Sequence, residues 1–501
     1  MKKNLFAIIL LMSVTAQADI YWIGFTDKQG TEGTISNPEL YLSSRSIERR
    51  ERQNIKIDSL DLPVSKVYTD SLTALGAQIL YPLRWLNGVT ARVSDNTIVN
   101  KIKSLSFVNM VQLTRPETKN AAPAVRKSKF LLQGDSAYYN NKAYALTYMD
   151  MIRLGELHKL GFKGEGKLIA VIDHLYSGVD YLPVFEKVRQ QIEATYNVVD
   201  GSSVYGAGTH GAMVLELLAG NIQNQDLGTA PSAKYVLITT EEDDEAGSEN
   251  LWEVDNQCRG FEYADSIGAD VISSSLGYYE FDDPTANFTY SDMDGKTARN
   301  SISATIASHK GMAVCISAGN EYRNSWHYLT APSDARDILC VGAVTADGAH
   351  SSFSSVGPAA DGRVKPDVAV LGTAVTIFYP EDFRTGSGTS FACPITAGMT
   401  ASLWSALPDL TSLELMQAIR ESGSTYFTPS DTIGYGIPDA MKIYERYKQP
   451  TSLCNQPTGA NSIKCWIDIV GRMYATEPQQ AGIYIAIYDD GSCEKRYIGC
   501  R

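Results

Sequence analysis

The sequence reads Gly-Ser-Gly-Thr-Ser-Phe-Ala-Cys-Pro over residues 386–394, and an apolar run follows it as far as Leu407. This run predicts a helix from Phe391 to Leu407 that Ser390 opens. A helix N-terminus offers N–H groups and the positive end of the helix dipole, which favour a developing oxyanion. An ordinary serine N-cap explains Ser390, but it explains neither the Gly-x-Gly run before it nor Pro394 after it. The segment therefore predicts a nucleophilic serine at the start of a long apolar helix.

Residues 149–449 alternate between short apolar runs of buried-strand length and amphipathic stretches. The apolar runs are Lys167–Ile172, Tyr235–Thr239, Asp270–Ser274, Met312–Ser317, Ile338–Val344 and Asp367–Val370. The amphipathic stretches include Leu251–Ile267 and Thr297–Lys310. Near-continuous apolar strands with helical crossovers predict an α/β fold, with a mainly parallel sheet and helices on both faces.

Two further segments stand where such sheets place active sites, at the carboxyl ends of strands. Asp173 directly follows an apolar strand, although a strand-terminal aspartate is often only a turn former. His210 lies among glycines at the start of an apolar helix that ends at Gly220. A serine hydroxyl needs a base, and the base needs a carboxylate that fixes its tautomer. Asp173, His210 and Ser390 supply these three parts.

Asn320 ends the run Cys315-Ile316-Ser317-Ala318-Gly319-Asn320. Its amide, together with the backbone N–H of Ser390, is placed to hold an oxyanion. His174 competes with His210 for the role of base, but side chains of adjacent residues such as Asp173 and His174 seldom face each other. A lipase or esterase needs Gly-x-Ser-x-Gly at the nucleophile, and Phe391-Ala392 follows Ser390 instead.

On these residues the chain resembles the subtilisin-like serine peptidases, the subtilases of peptidase family S8. The order Asp173, His210, Ser390 is that of this family, and the Gly-Thr-Ser-x-Ala-x-Pro motif is highly specific for it. The resemblance covers roughly residues 150–447 and includes Phe353–Pro358, Asp361–Asp367 and Gly434–Ala440. It implies hydrolysis of peptide bonds in peptides or proteins through an acyl-enzyme, with no cofactor required for the chemistry and no metal at the site, and it allows for a structural calcium ion.

The resemblance also implies the residues that bind substrate. Ser275, Leu276 and Gly277 pair with the substrate backbone as an extended strand, while Ser317, Ala318 and Gly319 line the opposite wall of the pocket for the substrate side chain. The sequence departs from the family pattern at His174-Leu175 and at Ala212. These departures motivate a second interpretation, a pseudoprotease that only binds peptides or a partner.

The N-terminal part has the features of an exported precursor. Residues 1–18 read as a signal peptide, with Lys2-Lys3 before an apolar run and Ala16-Gln17-Ala18 at the cut. Residues 19–115 show the order strand, helix, strand, strand, helix, strand of a small α+β domain. We expect its helix over Leu40–Gln53 to keep a basic run on its solvent side, namely Arg45, Arg49, Arg50 and Arg52.

This domain resembles the propeptide of Bacteroidota subtilases, which implies a partner that inhibits the enzyme until the linker at residues 116–148 is cut. That linker carries the basic run Arg126-Lys127-Ser128-Lys129. The C-terminal residues 450–501 read as a small β-rich tail that resembles a type IX secretion sorting domain. Its four cysteines, Cys454, Cys465, Cys493 and Cys500, predict two disulfides with three pairings open. A disulfide-stapled cap on the catalytic domain is the alternative for this tail.

Composition limits the partners and the location. The net charge of −13 argues against nucleic acid and anionic membranes as partners. No segment after residue 18 is apolar enough to predict a transmembrane helix, so the expected location is extracellular or at the cell surface. The remaining cysteines, Cys258, Cys315, Cys340 and Cys393, read as buried small hydrophobes.

Two acidic segments carry alternatives of their own. The run 241–245 follows a strand near the expected cleft, where it would favour basic substrate residues, unless it is a solvated loop. Asp292 and Asp294 suggest a calcium loop, but a polar turn is favoured because few further oxygen ligands follow them.

Overall fold

A computed structural model describes residues 18–116, 131–133, 145–222, 225–242, 248–448, 463–468, 472–480, 482–489 and 493–498. The chain divides into two compact units, Met1–Met441 and Lys442–Arg501. Nearly all of the predicted signal peptide and most of the predicted linker lie outside the described residues. None of the helices in the described ranges is both long and apolar enough to cross a membrane.

The first unit begins with a four-stranded antiparallel sheet and three helices. The elements are β1 (Asp19–Phe25), α1 (Ser44–Arg52), α2 (Lys66–Ala74), β2 (Gln78–Leu83), β3 (Gly88–Val93), α3 (Asn96–Lys103) and β4 (Val108–Arg115). The strand order β2-β3-β1-β4 is that of the predicted α+β arrangement. Helix α1 starts later than predicted, because Ser43 caps it by accepting a hydrogen bond from the Ser46 N–H.

Only part of the basic run of α1 lies on a solvent face: Arg52 is exposed and Arg45 is partly exposed, but the prediction is wrong for Arg49 and Arg50. Arg49 and Arg50 are 0% and 1% exposed. Both pair with Asp265, at N–O distances of 2.5 and 2.9 Å, and Arg84 reaches the same carboxylate at 2.5 Å. The arginines are buried because α1 faces a helix of the α/β region, which the hydrophobic pattern of α1 alone does not reveal.

A seven-stranded parallel sheet forms the centre of the first unit. In chain order its strands are β6 (Leu168–Asp173), β7 (Ile192–Asn197), β10 (Lys234–Thr239), β11 (Val271–Ser274), β12 (Ala313–Ser317), β13 (Leu339–Val344) and β14 (Val368–Leu371). Their spatial order is β14-β13-β12-β11-β6-β10-β7, and every neighbouring pair is parallel. The predicted α/β fold is thus confirmed. Sequence analysis missed β7, since this edge strand alternates polar and apolar residues.

Helices cover both faces of this sheet. Here the first unit contains α4 (Ala145–Met151), α5 (Leu154–Lys159), α6 (Glu186–Arg189), α7 (His210–Ala219), α8 (Leu251–Ile267), α9 (Arg299–His309), α10 (Thr389–Ala406) and α11 (Ser412–Ser422). Helix α12 (Ala440–Lys448) spans the boundary between the two units. Leu168, Ala170 and Ile172 of β6 share a hydrophobic cluster with α8. The intervening residues Ile169 and Val171 are also fully buried and face the opposite side of the sheet.

Smaller strands lie around the main sheet. They are β5 (Leu131–Gln133), β8 (Asn221–Ile222), β9 (Gln225–Asp226), β15 (Val375–Ile377) and β16 (Arg384–Ser387). Strands β15 and β16 form an antiparallel hairpin directly before α10, and β5 pairs with the free edge of β16. The short strand β5 therefore brings part of the predicted linker to the segment that leads into Ser390.

The second unit contains a four-stranded antiparallel sheet. Its strands β17 (Ile463–Asp468), β18 (Met473–Tyr474), β19 (Gly482–Tyr488) and β20 (Cys493–Ile498) have the order β18-β17-β19-β20. The predicted β-rich tail is present, but Cys465 is a free thiol while Cys493 is disulfide-bonded. The prediction of two disulfides among the four tail cysteines is therefore wrong. Cys465 and Cys493 both lie opposite Ile487, on the two strands that flank β19. Two strand spacings put their Cα atoms about 9.5 Å apart, which is too far for a disulfide.

Candidate active site

Asp173 and His210 meet at the carboxyl end of the central sheet. Asp173 is the last residue of β6 and His210 the first of α7. The His210 Nδ1 and the Asp173 Oδ1 lie 2.5 Å apart, and both residues are buried. The Asp173 carboxylate can only accept a hydrogen bond, so the Nδ1 atom of His210 carries the proton. The lone pair that can act as a base is therefore on Nε2.

His174 lies beside this pair in a different role. Its backbone N–H donates to the Asp173 Oδ1 at 2.9 Å and so helps to orient the carboxylate. Its ring packs over Gly208, where an added Cβ would lie 2.4 Å from the His174 Nδ1. The glycine before His210 therefore makes room for a neighbouring side chain.

Ser390 is the second residue of α10 and is 4% exposed. Its carbonyl would normally accept the N–H of residue 394, but Pro394 has none. The Ser275 hydroxyl donates to this carbonyl instead, at 3.0 Å, and the Ser390 Oγ donates to the Ser275 carbonyl at 3.3 Å. Ser275 follows β11, which pairs with β6 through Ser274 and Ile172. Ser390 is thereby held at the carboxyl end of the central sheet, where Asp173 also lies.

The two glycines before Ser390 serve different neighbours. An added Cβ at Gly386 would lie 2.3 Å from the Phe391 ring, so this glycine makes room for a side chain of the helix that it precedes. An added Cβ at Gly388 would lie 3.6 Å from the Asn320 Nδ2. Gly388 thus keeps the space beside the predicted oxyanion donor open.

The Asn320 side chain has a defined orientation. Its Oδ1 accepts hydrogen bonds from the Thr389 backbone N–H at 2.8 Å and from the Thr389 hydroxyl at 3.1 Å. The same hydroxyl accepts the Gly319 N–H at 3.2 Å. With the oxygen held in this way, the Nδ2 group is the end of the amide that can donate to an oxyanion.

A cavity of about 410 Å³ opens beside Ser390. Its lining includes Ser275, Gly277, Ser317, Gly319 and Asn320, as expected for the substrate-binding residues. Leu276 and Ala318 are not among the described residues that line it; their side chains are buried in hydrophobic clusters. This division follows from the alternation of side chains along an extended chain.

Sequence analysis did not assign several residues of the cavity wall to the site. These are Glu249, Tyr278, Tyr279, Glu280, Glu321, Asn324, Thr330 and Thr389. Thr330 lies at the cavity because its neighbour Ala331 forms a β-bridge with Tyr278, 53 residues earlier in the chain, and no local sequence pattern predicts such a contact. Glu321 directly follows Asn320, so adjacency to the predicted oxyanion donor was the signal that could have found it.

The Phe353–Pro358 motif also acquires a structural role at the cavity. The Ser355 hydroxyl accepts the Glu321 N–H at 3.0 Å, and the Ser355 N–H donates to the Gly319 carbonyl at 2.9 Å. These two bonds hold the wall that contains Gly319 and Glu321. A motif that sequence analysis used only as a family signature is therefore part of the support of the site.

Burial and nearby carboxylates affect the titration of the tyrosines in the wall. Burial, with a further contribution from Glu241, raises the pKa of Tyr278 well above its usual value. Burial and Glu321 raise the pKa of Tyr279 to about 12. Both phenols are protonated near neutral pH, and the Tyr278 hydroxyl donates to the Glu241 carboxylate.

Glu216 supports the helix that carries His210. It lies in α7, is 3% exposed, and accepts the Phe378 N–H with its Oε1. Burial raises the pKa of Glu216 to about 8, although hydrogen bonds from the backbone of Phe378 and Tyr379 act in the opposite direction. The carboxyl is thus mostly protonated at neutral pH.

Carboxylates that could hold a metal ion occur once in the described ranges. Glu241, Glu249 and Glu253 offer oxygens that lie within 4.8 Å of one another. Glu253 already accepts the N–H groups of Glu242 and Asn250, both at 3.1 Å. Glu241 is buried, so it is not part of a solvated loop; residues 243–245 of the same acidic run lie outside the described residues.

The carboxylates of Asp292 and Asp294 hold a turn, as the favoured interpretation predicted. Asp292 accepts the Thr289 N–H at 2.7 Å, and Asp294 accepts the N–H groups of Lys296 and Thr297 at 2.8 and 2.9 Å. Structural calcium elsewhere in the chain stays a prediction.

The four central cysteines lie in the core, as predicted. Cys258, Cys315, Cys340 and Cys393 are free and buried. Burial raises the pKa of Cys393, one turn after Ser390, to about 12, which leaves the thiol protonated and unreactive. The protonated Cys393 thiol therefore does not compete with Ser390, the predicted nucleophile of this helix.

An aspartate, a histidine and a serine, in that order along the chain, stand at the carboxyl edge of one parallel sheet, and the fold is thus that of the subtilisin-like α/β class. Residues 164–436 match the model of the subtilase family, and residues 20–129 match that of the peptidase S8 propeptide domain of Bacteroidota. The chain belongs to the subtilase family and is a serine-type endopeptidase with a propeptide domain.

Individual relatives agree with this family. The chain is 31% identical over 342 residues to subtilisin NAT of Bacillus subtilis subsp. natto, covering 67% of this chain and 80% of that one. It is 30% identical over 342 residues to subtilisin E of Bacillus subtilis (strain 168), again with 67% and 80% covered. Fervidolysin from Fervidobacterium pennivorans, a keratinolytic enzyme related to subtilisin, has a similar fold, with a TM-score of 0.57 at 16% identity over 95% of this chain and 68% of that chain.

Proposed function

We propose that the chain is the inactive precursor of a secreted endopeptidase that cuts peptide bonds through Ser390, His210 and Asp173. The observation that carries this proposal is the 2.5 Å contact between Asp173 and His210 at the carboxyl end of the central sheet. The Ser275 hydroxyl, which donates to the Ser390 carbonyl, holds Ser390 at the same end of the sheet. A carboxylate on Nδ1 stabilises the imidazolium that forms when Nε2 takes up a proton.

The reaction follows from these positions. His210 Nε2 takes the Ser390 proton while the Ser390 Oγ attacks the substrate carbonyl carbon. The Asn320 Nδ2 and the Ser390 N–H at the helix N-terminus stabilise the oxyanion. His210 then gives its proton to the leaving amine, which departs from the acyl-enzyme. A water molecule, deprotonated by His210, hydrolyses the ester and regenerates Ser390.

The N-terminal domain of residues 19–115 is proposed to inhibit the catalytic region until the linker is cut. It packs closely on the catalytic region: Trp22, Tyr81, Leu83 and Trp85 share one hydrophobic cluster with residues of α8. The backbone N–H groups of Arg84 and Trp85 donate to the Glu262 carboxylate at 3.0 and 2.9 Å. Such an interface is stable enough to persist in the precursor.

Export is part of the proposal. The predicted signal peptide at residues 1–18 would direct the chain out of the cytoplasm, and the sheet of the second unit would serve as a type IX sorting domain. Fractionation of cells that express the chain with and without residues 450–501 tests the second step. Equal amounts of both forms in the medium would argue against a sorting role.

The decisive test of the catalytic proposal is Ser390→Ala. We expect this variant to lose hydrolysis of casein, labelling by a fluorophosphonate probe and release of the N-terminal domain, because each needs an activated serine. Ser352→Ala, at an exposed serine, is the matched control and should keep all three. Proteolysis retained by Ser390→Ala would contradict the assignment. Failure of the unaltered enzyme to react with the probe would support the pseudoprotease interpretation instead.

A further inference from the structure

The cavity beside Ser390 carries an unusual concentration of negative charge. Three carboxylate side chains line it, those of Glu249, Glu280 and Glu321. Glu249 is only 5% exposed and lies next to Glu241 and Glu253, whose oxygens are within 4.8 Å of its own. Among the described lining residues there is no lysine, arginine or histidine. The cavity therefore has a negative potential, which water screens poorly at a buried carboxylate.

An unmet hydroxyl lies in the same cavity. Thr330 is 2% exposed, and its Oγ1 makes no hydrogen bond within the described part of the chain. The Thr330 hydroxyl lies between the two predicted walls of the cavity. A Cβ added to Gly277 would lie 2.1 Å from this oxygen, and a Cβ added to Gly319 would lie 3.0 Å from it. A buried hydroxyl without a partner is unfavourable unless a ligand supplies one. This oxygen can accept a hydrogen bond from a donor group of a ligand in the cavity.

These two observations describe a pocket whose lining offers hydrogen-bond acceptors, namely carboxylate oxygens and the Thr330 hydroxyl. The ammonium or guanidinium group of a basic substrate side chain would supply donors to the Thr330 oxygen and to the carboxylates. The stacked rings of Tyr279 and Trp326, 4.6 Å apart, stand beside Glu321 and add a surface that favours a cation. An acidic substrate side chain would meet charge of its own sign.

The chain itself carries basic residues directly before strand β5 in the sequence. Strand β5 lies antiparallel to β16, with Leu131 opposite Ser387, three residues before Ser390. The sequence just before Leu131 is Arg126-Lys127-Ser128-Lys129-Phe130. The match to the propeptide family also ends at residue 129.

We propose that this cavity takes the side chain of a lysine or arginine on the acyl side of the scissile bond. The enzyme's own linker is then cut after a basic residue of Arg126–Lys129, and Lys129 is the site closest to β5. Water is the co-reactant: its hydroxyl joins the carbonyl carbon of the basic residue, and its proton goes to the released amine. The inference rests on the proposed catalytic function and adds its substrate class.

Tetrapeptide p-nitroanilides that differ only in the last residue test the preference. We expect kcat/KM for lysine and arginine to exceed that for phenylalanine and leucine at least about 10-fold, the effect of one charge-assisted contact. Cleavage after glutamate should be the slowest. Equal or faster cleavage after phenylalanine or leucine would overturn the inference, and concurrent labelling by a fluorophosphonate probe shows that the catalytic proposal itself stands.

Glu249→Gln and Glu321→Gln identify the residues responsible. Each should lower the ratio of lysine to phenylalanine cleavage about 10-fold, because the charge is lost while the side-chain shape is kept. Glu186→Gln, at an exposed glutamate of α6, is the matched control and should leave this ratio unchanged. A ratio that stays constant in both pocket variants would contradict the inference, even if both enzymes remain active.

A synthetic peptide with the sequence of residues 121–136 tests the linker. Incubation with the active enzyme and mass spectrometry of the products should show cleavage after Arg126, Lys127 or Lys129, with Lys129 as the main site. The same peptide with alanine at these three positions should be cut at least about 10-fold more slowly. Main cleavage of the unaltered peptide after an uncharged residue would refute the preference. The Ser390→Ala enzyme shows whether a contaminating protease is at work.

Discussion

At the scale of single residues, the exchange between Ser275 and Ser390 explains why a proline follows the nucleophile. Pro394 removes the N–H that would otherwise bind the Ser390 carbonyl inside α10. The Ser275 hydroxyl takes its place at 3.0 Å, and a helix residue is thereby fixed to the end of a strand. Pro394, which leaves the Ser390 carbonyl free, and Ser275, which donates to it, thus act together to hold Ser390 in place.

Asp173→Asn tests the orientation of the imidazole. The amide that replaces the carboxylate cannot stabilise an imidazolium, so we expect kcat to fall about 10⁴-fold while the fold is kept. Steady-state kinetics with a lysine p-nitroanilide measure the fall. His174→Asn is the control: because His174 contacts Asp173 through its backbone N–H, its kcat should stay within about 10-fold of the unaltered enzyme. A larger loss in His174→Asn than in Asp173→Asn would reverse the assignment of the base.

The residues proposed to act on the scissile bond could be named from the sequence, because specific motifs surround Asp173, His210, Asn320 and Ser390. The lining of the cavity was not. Glu249 lies 71 residues before Asn320, and Thr330 reaches the cavity through a bridge from Tyr278 to Ala331. Long-range packing decides which such side chains share a pocket, and a local pattern carries no signal for it.

At the scale of elements, α7 carries a buried acid, Glu216, together with His210, the proposed catalytic base. Glu216 joins this helix to the segment after β15, through the Phe378 N–H. The folded state favours the protonated carboxyl, because burial raises its pKa to about 8. An unfolded chain would release that proton near pH 4.5, the ordinary value. Folding stability from this group is therefore full below about pH 4.5 and is lost as the pH rises towards 8.

Glu216→Gln tests this dependence. In the Ser390→Ala background, which prevents self-digestion, the free energy of unfolding of the parent should fall relative to Glu216→Gln by up to about 1.4 kcal/mol per pH unit between pH 5 and 8. The glutamine keeps an acceptor for the Phe378 N–H but has no proton to lose. Urea unfolding at several pH values measures the difference. Parallel pH profiles for the two proteins would contradict the buried-acid interpretation.

Elements with a strong hydrophobic pattern were predictable, and those whose form depends on position in the sheet were not. The stretch Leu251–Ile267 was predicted with the bounds of α8, and the central strands were found because they are buried on both faces. Strand β7 was missed because one of its faces is exposed at the sheet edge. Arg49 and Arg50 of α1 were wrongly assigned to solvent, because their burial depends on a partner helix more than 200 residues away.

At the scale of the whole molecule, the interface between the N-terminal domain and the catalytic region is built on a buried carboxylate. Burial by itself would raise the pKa of Asp265, but Arg50, Arg49 and Arg84 outweigh it and lower the pKa to about 2. The stabilisation is present above pH 3.8, the ordinary value, and is lost only as the pH falls through about 2. Mild acid should therefore leave the interface intact.

Asp265→Asn tests the strength of this interface. Loss of one partner leaves buried arginines uncompensated, so we expect the Ser390→Ala precursor to lose about 3–5 kcal/mol of unfolding free energy. Chemical denaturation followed by tryptophan fluorescence measures it. Asp70→Asn, which breaks the exposed pair with Lys66 in α2, is the matched control and should cause no measurable change. Similar midpoints for Asp265→Asn and the control would show that the charges contribute little.

The same carboxylate also bears on the timing of activation. Cutting the linker removes only the covalent connection, and it leaves the three arginines on Asp265 and the buried rings of Trp22 and Trp85 in place. Departure of the intact N-terminal domain would strip Asp265 of all three charges at once, so this step is slow. Activity should consequently appear with a lag after the cut, and the lag should shorten when a second molecule digests the bound domain.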